Sequence, residues 1–121
     1  MGYGRKISGG KYKILRKTKK FELVGIARKV KLGKTKQKVV RGQGGNKKNI
    51  LLTGEFANVY NPSTKKSKKA KIKNVLETPS NRFWARQNIL IKSAVIETDI
   101  GKAKITNRPS QEGTINAILI E

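Results

Sequence analysis

The stretch from Arg5 to Lys20, RKISGGKYKILRKTKK, carries eight positive charges and no acid. Gathering such charges in a core removes each from water with no partner to compensate, which folding cannot offset. The segment must therefore lie in solvent or against an anion. Any fold open to this chain keeps the stretch outside and builds its core from the remainder.

The remainder is a different material. Residues 1–48 hold 17 basic residues and one acid, Glu22, whereas residues 74–121 hold six and five. Residues 49–73 lie between, with six and one. The formal net charge of +22 would destabilise any compact state through self-repulsion unless a polyanion neutralised it. A basic arm on a near-neutral body is the pattern of a nucleic-acid-binding tail on a folded module. At 121 residues, one modest domain is the expectation.

Several function classes are excluded by what is missing. The chain has no Cys and no His, which removes disulfides, thiolate or imidazole metal sites, and Ser-His or Cys-His nucleophile pairs. No apolar run approaches the length of a membrane span, and no signal-peptide core follows the first charges. Met1-Gly2 is followed by Lys6 where a myristoylation motif needs Ser or Thr. Asn61-Pro62-Ser63 is disqualified as a glycosylation site by its proline. A soluble, cytoplasmic protein is the expectation.

Along the chain, residues 1–37 read as a basic arm and residues 38–121 as the body. Gly2, Gly4, Gly9 and Gly10 weaken helix formation, and a short helix over 12–24 is the only regular element open to the arm. Tyr12, Ile14, Leu15, Phe21, Leu23, Val24 and Ile26 are too few for a core of their own and read as anchors for the body or for bases. The first strand is expected near Lys38. Short β-rich runs follow at 50–53, 55–60, 68–76, 89–92, 94–98, 103–106 and 114–120, separated by turn residues. Asn61–Thr64, Asp99–Lys102 and Ser110–Gly113 are turns, and Thr78 with Pro79 can open one or two helical turns through Gln87. Ile118, Leu119 and Ile120 run consecutively, as in a strand covered on both faces. The fold expected is all-β, a small antiparallel β-barrel with a largely extended basic arm and at most one or two short helices. Its expected core comprises Val39, Ile50, Leu52, Val59, Ile72, Val75, Ile89, Ile91, Val95, Ile105 and Leu119, with Phe83 also favoured as core.

The chemistry open to these residues is phosphate binding. Cationic side chains that neutralise phosphates release condensed counterions, and eight to ten such contacts would give log K against log salt a slope of about −6 to −9. The arm offers Arg5, Lys6, Lys11, Tyr12, Lys13, Arg16, Lys17, Lys19, Lys20, Arg28 and Lys29. Lys38 precedes a glycine-rich loop in which Gly44 and Gly45 let backbone N–H groups approach an anion, and Arg41, Lys47 and Lys48 supply charge. Lys69, Lys71 and Lys73 share one strand parity and Ala70 and Ile72 the other, so a strand there lines its outer face with lysines. Lys65, Lys66 and Lys68 belong to the same basic run. Arg82 and Arg86 flank the only Trp, Trp84, where guanidinium and ring planes could stack on unpaired bases or the ring could plug the barrel. Arg108 completes the set.

Nucleotide-binding and catalytic readings fail on spacing. The loop at Gly42–Gly45 lacks a dinucleotide fingerprint, and Gly33-Lys34-Thr35 has Arg28 where a P-loop needs glycine. The seven acids are scattered, with Glu97 and Asp99 the only close pair, and nothing assembles a nucleophile with a base. No enzyme activity, cofactor, metal or small-molecule substrate is expected. Charge alone leaves an architectural DNA-binding protein and an RNA-binding protein level, and a polybasic membrane-surface binder trails both.

RKISGGKYK near the start, VVRGQGGNKK at the loop, and the ending IETDIGKAKITNRPSQEGTINAILIE together resemble the S-eight-e ribosomal proteins of the archaeal and eukaryotic small subunit. The short length is similar to the archaeal form. The resemblance covers essentially the whole chain and implies a structural protein binding small-subunit rRNA beside neighbouring ribosomal proteins, with a small β-barrel and a basic arm. It maps the family's basic Ser/Thr-Gly-Gly segment onto Arg5, Lys6, Ser8, Gly9, Gly10 and Lys11. The family's Gly-Gly-Asn loop falls on Gly44, Gly45, Asn46 and Lys47. Where the family often has Thr-Arg, this chain has Gly42-Gln43.

Overall fold

A computed structural model describes residues 4–13, 16–23, 25 and 27–120. Its strands are β1 (Val30–Leu32), β2 (Lys36–Arg41), β3 (Lys47–Gly54), β4 (Phe56–Asn61), β5 (Lys66–Glu77), β6 (Ile89–Leu90), β7 (Val95–Thr98), β8 (Lys102–Ile105) and β9 (Asn116–Leu119). Two short helices, α1 (Arg82–Arg86) and α2 (Pro109–Glu112), interrupt them. The fold is all-β around a small closed barrel, in the order β4-β5-β7-β8-β9.

Alternation builds the barrel. Ala57 and Val59 of β4, Ala70, Ile72 and Val75 of β5, Ile96 of β7, Ala103 and Ile105 of β8, and Ala117 of β9 are all buried in one cluster. A five-stranded barrel has little interior, so alanines alternate with branched residues to fill it. Register shifts at Ile72/Asn74 and Val75/Glu77 are bulges that let the long β5 bend around the barrel. Neighbouring strands are antiparallel except at the closing seam, where β4 and β9 run parallel with Val59 opposite Ala117.

A second sheet, ordered β2-β3-β1-β6, packs on the barrel. Its β1 pairs parallel with β3 and antiparallel with β6. Gly54 ends β3, and a Cβ there would stand 2.7 Å from Ile115 Cδ1 and 2.8 Å from Leu51 Cδ2, so the turn into β4 passes only because the residue is glycine. Leu51 joins the barrel cluster, while Ile50 is buried outside it, on the strand against which α2 packs.

The structure corrects the sequence reading at several points. The first strand opens at Val30 and not near Lys38, and Val30 is only 1% exposed. Residues 30–40 alternate only loosely and Val30, Lys31 and Leu32 are a short run, so the tertiary partners reveal where the strand opens. Val39 is 59% exposed because β2 is the edge of its sheet. Leu52, Ile91, Val95 and Leu119 are half-buried, whereas their neighbours Leu51, Leu90, Ile96 and Ala117 are buried. The consecutive Ile118–Ile120 are not covered on both faces, since Ile118 and Ile120 are exposed.

Helix α1 starts later than Pro79, capped by the Asn81 side chain, which accepts from Phe83 N at 2.9 Å. Thr78 is buried and donates its hydroxyl to the Asn81 carbonyl. Phe83 is 57% exposed, because Ala85 packs on the core and two residues along a helix turns the side chain to nearly the opposite face. The Ser110–Gly113 turn is the end of helix α2, closed by Gly113 in the left-handed region at φ 72°. Of the helix considered over 12–24, the described residues show a 3-10 turn at Lys20–Glu22. Ile14, Leu15, Val24 and Ile26 lie outside the described residues.

Candidate nucleic-acid interface

Every described residue from Gly4 to Lys29 is exposed, so these residues add nothing to the core and present their cations to solvent. The arm nevertheless has local shape. Arg5 and Lys11 form an antiparallel bridge. Between them Lys6 N donates to the Gly10 carbonyl at 2.9 Å and Gly9 N to the Lys6 carbonyl at 2.9 Å. Arg5 Nη1 donates to the Gly9 carbonyl at 3.0 Å, and Gly9 sits at φ 79°, where a side chain would be strained. The Ser8-Gly9-Gly10 turn thus holds Arg5, Lys6 and Lys11 around one small loop. Lys6 Nζ lies 5.7 Å from the Tyr12 ring centroid.

Arg16 differs from its neighbours. Its guanidinium grips both Glu22 carboxylate oxygens, at 2.6 and 3.0 Å, and Glu22 also accepts from Lys19 N at 3.0 Å. The Arg16 hydrogen bonds, then the Lys19 amide, hold the Glu22 carboxyl below its ordinary pKa, and the same contact raises Arg16. Lys13, Lys17, Lys19 and Lys20 have no carboxylate beside them among the described residues.

The glycine-rich loop is the tip of the β2–β3 hairpin. Gln43–Gly45 makes a 3-10 turn, with Gly44 at φ 71° and Gly45 at φ 77°. Asn46 closes it, its side-chain amide donating to the Gln43 carbonyl at 3.2 Å and its own carbonyl accepting from Gly42 N at 2.6 Å. Arg41 pairs with Lys47 and Val40 with Lys48 across the hairpin, and Lys38 lies further down the same edge strand. Lys48 Nζ reaches Gln111 Oε1 of α2 at 3.5 Å.

Three of the candidate cations that are far apart in sequence meet at one cleft. Arg28 and Lys29 from the arm and Arg108 before α2 line a hollow of about 340 Å³ floored in part by Trp84. Trp84 is half-buried at this hollow, with Lys29 Nζ 5.1 Å from its ring, so the ring is not a plug of the barrel. Arg82 and Arg86 lie on the exposed side of α1, with Arg82 Cζ 5.2 Å from the Phe83 ring.

The lysine run divides in two. Ala70 and Ile72 point into the barrel, and Lys69, Lys71 and Lys73 point out, as their parity requires. Lys71 Nζ is 3.2 Å from Glu55, and Lys73 Nζ 3.5 Å from Asp99. Asp99, in the β7–β8 turn, thus lies beside Lys73 of β5. Lys66 and Lys68 have inward parity but lie at the barrel mouth, lining a hollow with Val59 and Ile100. Lys65 is in the preceding turn, at φ 53°.

Of the 29 Lys and Arg residues, only Arg16, Lys71 and Lys73 pair with a carboxylate among the described residues. No group of three or more metal-ligating side chains occurs among those residues, and none of their helices is long and apolar enough to cross a membrane. The sequence reading missed Phe56 and Tyr60, which stand on the outer face of β4 at 40% and 38% exposure. Parity could have found them, since placing Val59 inside puts residues 56, 58 and 60 outside.

Comparison with known proteins draws these surfaces together. The family model described as "Ribosomal protein S8e" matches residues 3–120. The small ribosomal subunit protein eS8 of Sulfurisphaera tokodaii is 50% identical over 119 residues, covering 97% of this chain and 92% of that protein. The proteins of the same name from Pyrobaculum aerophilum and Methanococcus aeolicus are each 49% identical, covering 97% and 96% of this chain and 91% of each relative.

Proposed function

The chain belongs to the ribosomal protein S8e family, and from that premise we propose that it is a structural constituent of the small ribosomal subunit that binds small-subunit rRNA. The observation that carries the reading is the exposure of the arm's described residues, whose cations, apart from Arg16, have no acid partner among the described residues. Arm, hairpin tip and the lysines of β5 act as separate phosphate-binding surfaces on one rigid body. Contacts to phosphates fix position and register, while shape does most of the discrimination, as expected for folded RNA. In this role the protein works in the cytoplasmic small subunit, next to rRNA and neighbouring ribosomal proteins, without catalysis or a cofactor.

We place the functional boundary between arm and body at Lys29/Val30, a reading supported by β1 and β2 being strands of the second sheet. Residues 5–29 reach the RNA; residues 30–120 supply the platform that holds the hairpin and β5.

Competition binding tests the proposal. The chain should prefer a structured small-subunit rRNA fragment over duplex DNA, with a salt slope of about −6 to −9. Replacing Lys17, Lys19 and Lys20 by Glu should flatten that slope by at least about two units. Equal affinity for duplex DNA would return the chain to an architectural DNA-binding role, and an unchanged slope would remove the arm from the interface.

A further inference from the structure

The outer face of the barrel at β5, β4 and β9 has a composition that phosphate binding does not require. Phe56, Asn58 and Tyr60 alternate along β4 and point outward, while Ala57 and Val59 between them are buried. Four residues of strand separate the two rings by about 13 Å. Each ring has a distinct cross-strand setting: Lys71 stands opposite Phe56, and Tyr60 lies between Ser67 and Ile118. Ile118 is 43% exposed, and Lys104 of β8 stands beyond it.

Between the rings, Asn58 Nδ2 donates to Asn116 Oδ1 at 3.2 Å. The Asn58 Oδ1 and Asn116 Nδ2 atoms have no protein partner among the described residues, which leaves an acceptor and a donor side by side in solvent. Lys69 Nζ sits 4.7 Å from the Phe56 ring centroid and has no carboxylate near it. Phe56, Asn58 and Lys69 also form one wall of a cleft of about 230 Å³, whose far wall includes Gln37 and Thr114. Among the described residues, Glu55 beside this face is held by Lys71, and Asp99 beside β5 by Lys73.

We propose that this face holds unpaired nucleotides of the bound RNA, with bases stacked on Phe56 and Tyr60 and a base edge read by the Asn58–Asn116 pair. The inference rests on the RNA-binding reading and adds a second mode to it. Exposed rings on neighbouring positions of a sheet are stacking platforms for bases that are out of a duplex. Paired bases offer no free face, so the phosphate-binding surfaces and this one take different parts of an RNA. Lys69 and Lys104 on either side of the rings match the phosphates of a strand crossing the sheet. Neither lysine pairs with a carboxylate among the described residues, which leaves both charges to meet a phosphate.

The test uses the full chain and two RNAs, a blunt hairpin closed by a non-nucleotide linker and the same hairpin with a single-stranded tail containing 2-aminopurine. The tailed RNA should bind more tightly, and the probe fluorescence should be quenched on binding. Phe56→Ala and Tyr60→Ala should each cut the preference for the tail by on the order of tenfold, relieve the quenching, and leave the affinity for the blunt hairpin unchanged. Phe56→Trp keeps a platform and should keep the preference, which separates lost stacking from lost folding. Equal affinity of the unaltered chain for both RNAs, with no quenching, would overturn the inference and leave the proposed function standing. Failure to bind either RNA would overturn both.

Discussion

Arg41 and Lys47 stand directly opposite each other across the β2–β3 hairpin, both exposed and neither beside a carboxylate. Like charges at facing positions destabilise a strand pair by a few tenths of a kcal/mol or more. The arrangement makes sense only if something else neutralises the pair, and the Gly44-Gly45 tip above it has no side chain to hold an anion away from the backbone. Lys47→Glu should therefore raise the stability of the isolated chain by about 0.5 kcal/mol. The same change should weaken rRNA binding by on the order of tenfold and reduce the salt slope by at least about one. Thermal unfolding and a salt titration on one protein sample check both signs. A loss of stability on making this change would show that the pair is not repulsive in the free chain.

Val30 ties the arm to the body. It is buried in the barrel cluster and pairs with Leu90, while its neighbour Lys31 pairs with Thr53. Removing residues 1–29 should leave a cooperatively folding β protein with nearly unchanged stability. Removing residues 1–37 also strips β1 and the start of β2, uncovers Leu51 and Leu90, and should cost at least about 3 kcal/mol. Denaturant unfolding of the two truncations distinguishes this boundary from one at Lys38, for which both would be equally stable.

Gly113 closes α2 in the left-handed region and receives a hydrogen bond from Gln37 Nε2 at 2.7 Å, joining the barrel to β2. A Cβ there would lie 3.2 Å from Asn49 Cβ and 3.3 Å from the Asn49 carbonyl oxygen. Gly113→Ala should destabilise the chain by about 1–3 kcal/mol. That corresponds to a fall in Tm of at least roughly 4 °C. RNA affinity at low temperature should be almost unaltered, because the residue is buried.

The Arg16–Glu22 contact gives the arm a pH signature. Glu22 is held below the ordinary carboxylate pKa by Arg16 and by the Lys19 amide. A depressed pKa means the contact is fully present above the unfolded value and is lost as pH falls through the folded one. The Lys20–Glu22 turn should therefore persist at neutral and mildly acidic pH and loosen only in stronger acid. NMR titration of the Glu22 carboxyl should show its midpoint shifted down, and Arg16→Ala should move it back toward the ordinary value. A midpoint indifferent to that substitution would mean the ion pair is not formed in solution.

Charge segregation, the Gly-Gly-Asn hairpin tip and the parity of Lys69, Ala70, Lys71 and Ile72 were legible because each is a local pattern that any fold must respect. The exclusion of the Arg5–Lys20 cations from the core followed from desolvation alone, and the turn at Asp99–Lys102 from its glycine. The start of the strand at Val30 was not legible, since the loose alternation from Val30 to Val40 does not mark where pairing begins. Nor was the choice of Leu51 over Leu52, where adjacent leucines offer either face and the neighbouring strands decide. Phe83 looked like core by its hydrophobicity, but Ala85 took the inward face of a helix too short to bury both.

By itself the sequence determined the kind of protein: a β body with a cationic arm, made for a polyanion, with its strand spacing and turn positions largely written in short-range residue order. Tertiary structure decided what those pieces face. It closed the barrel with a parallel seam and brought Arg28, Lys29 and Arg108 to one hollow over Trp84. These outcomes depend on volumes and partners contributed by distant segments, so no window of sequence contains them.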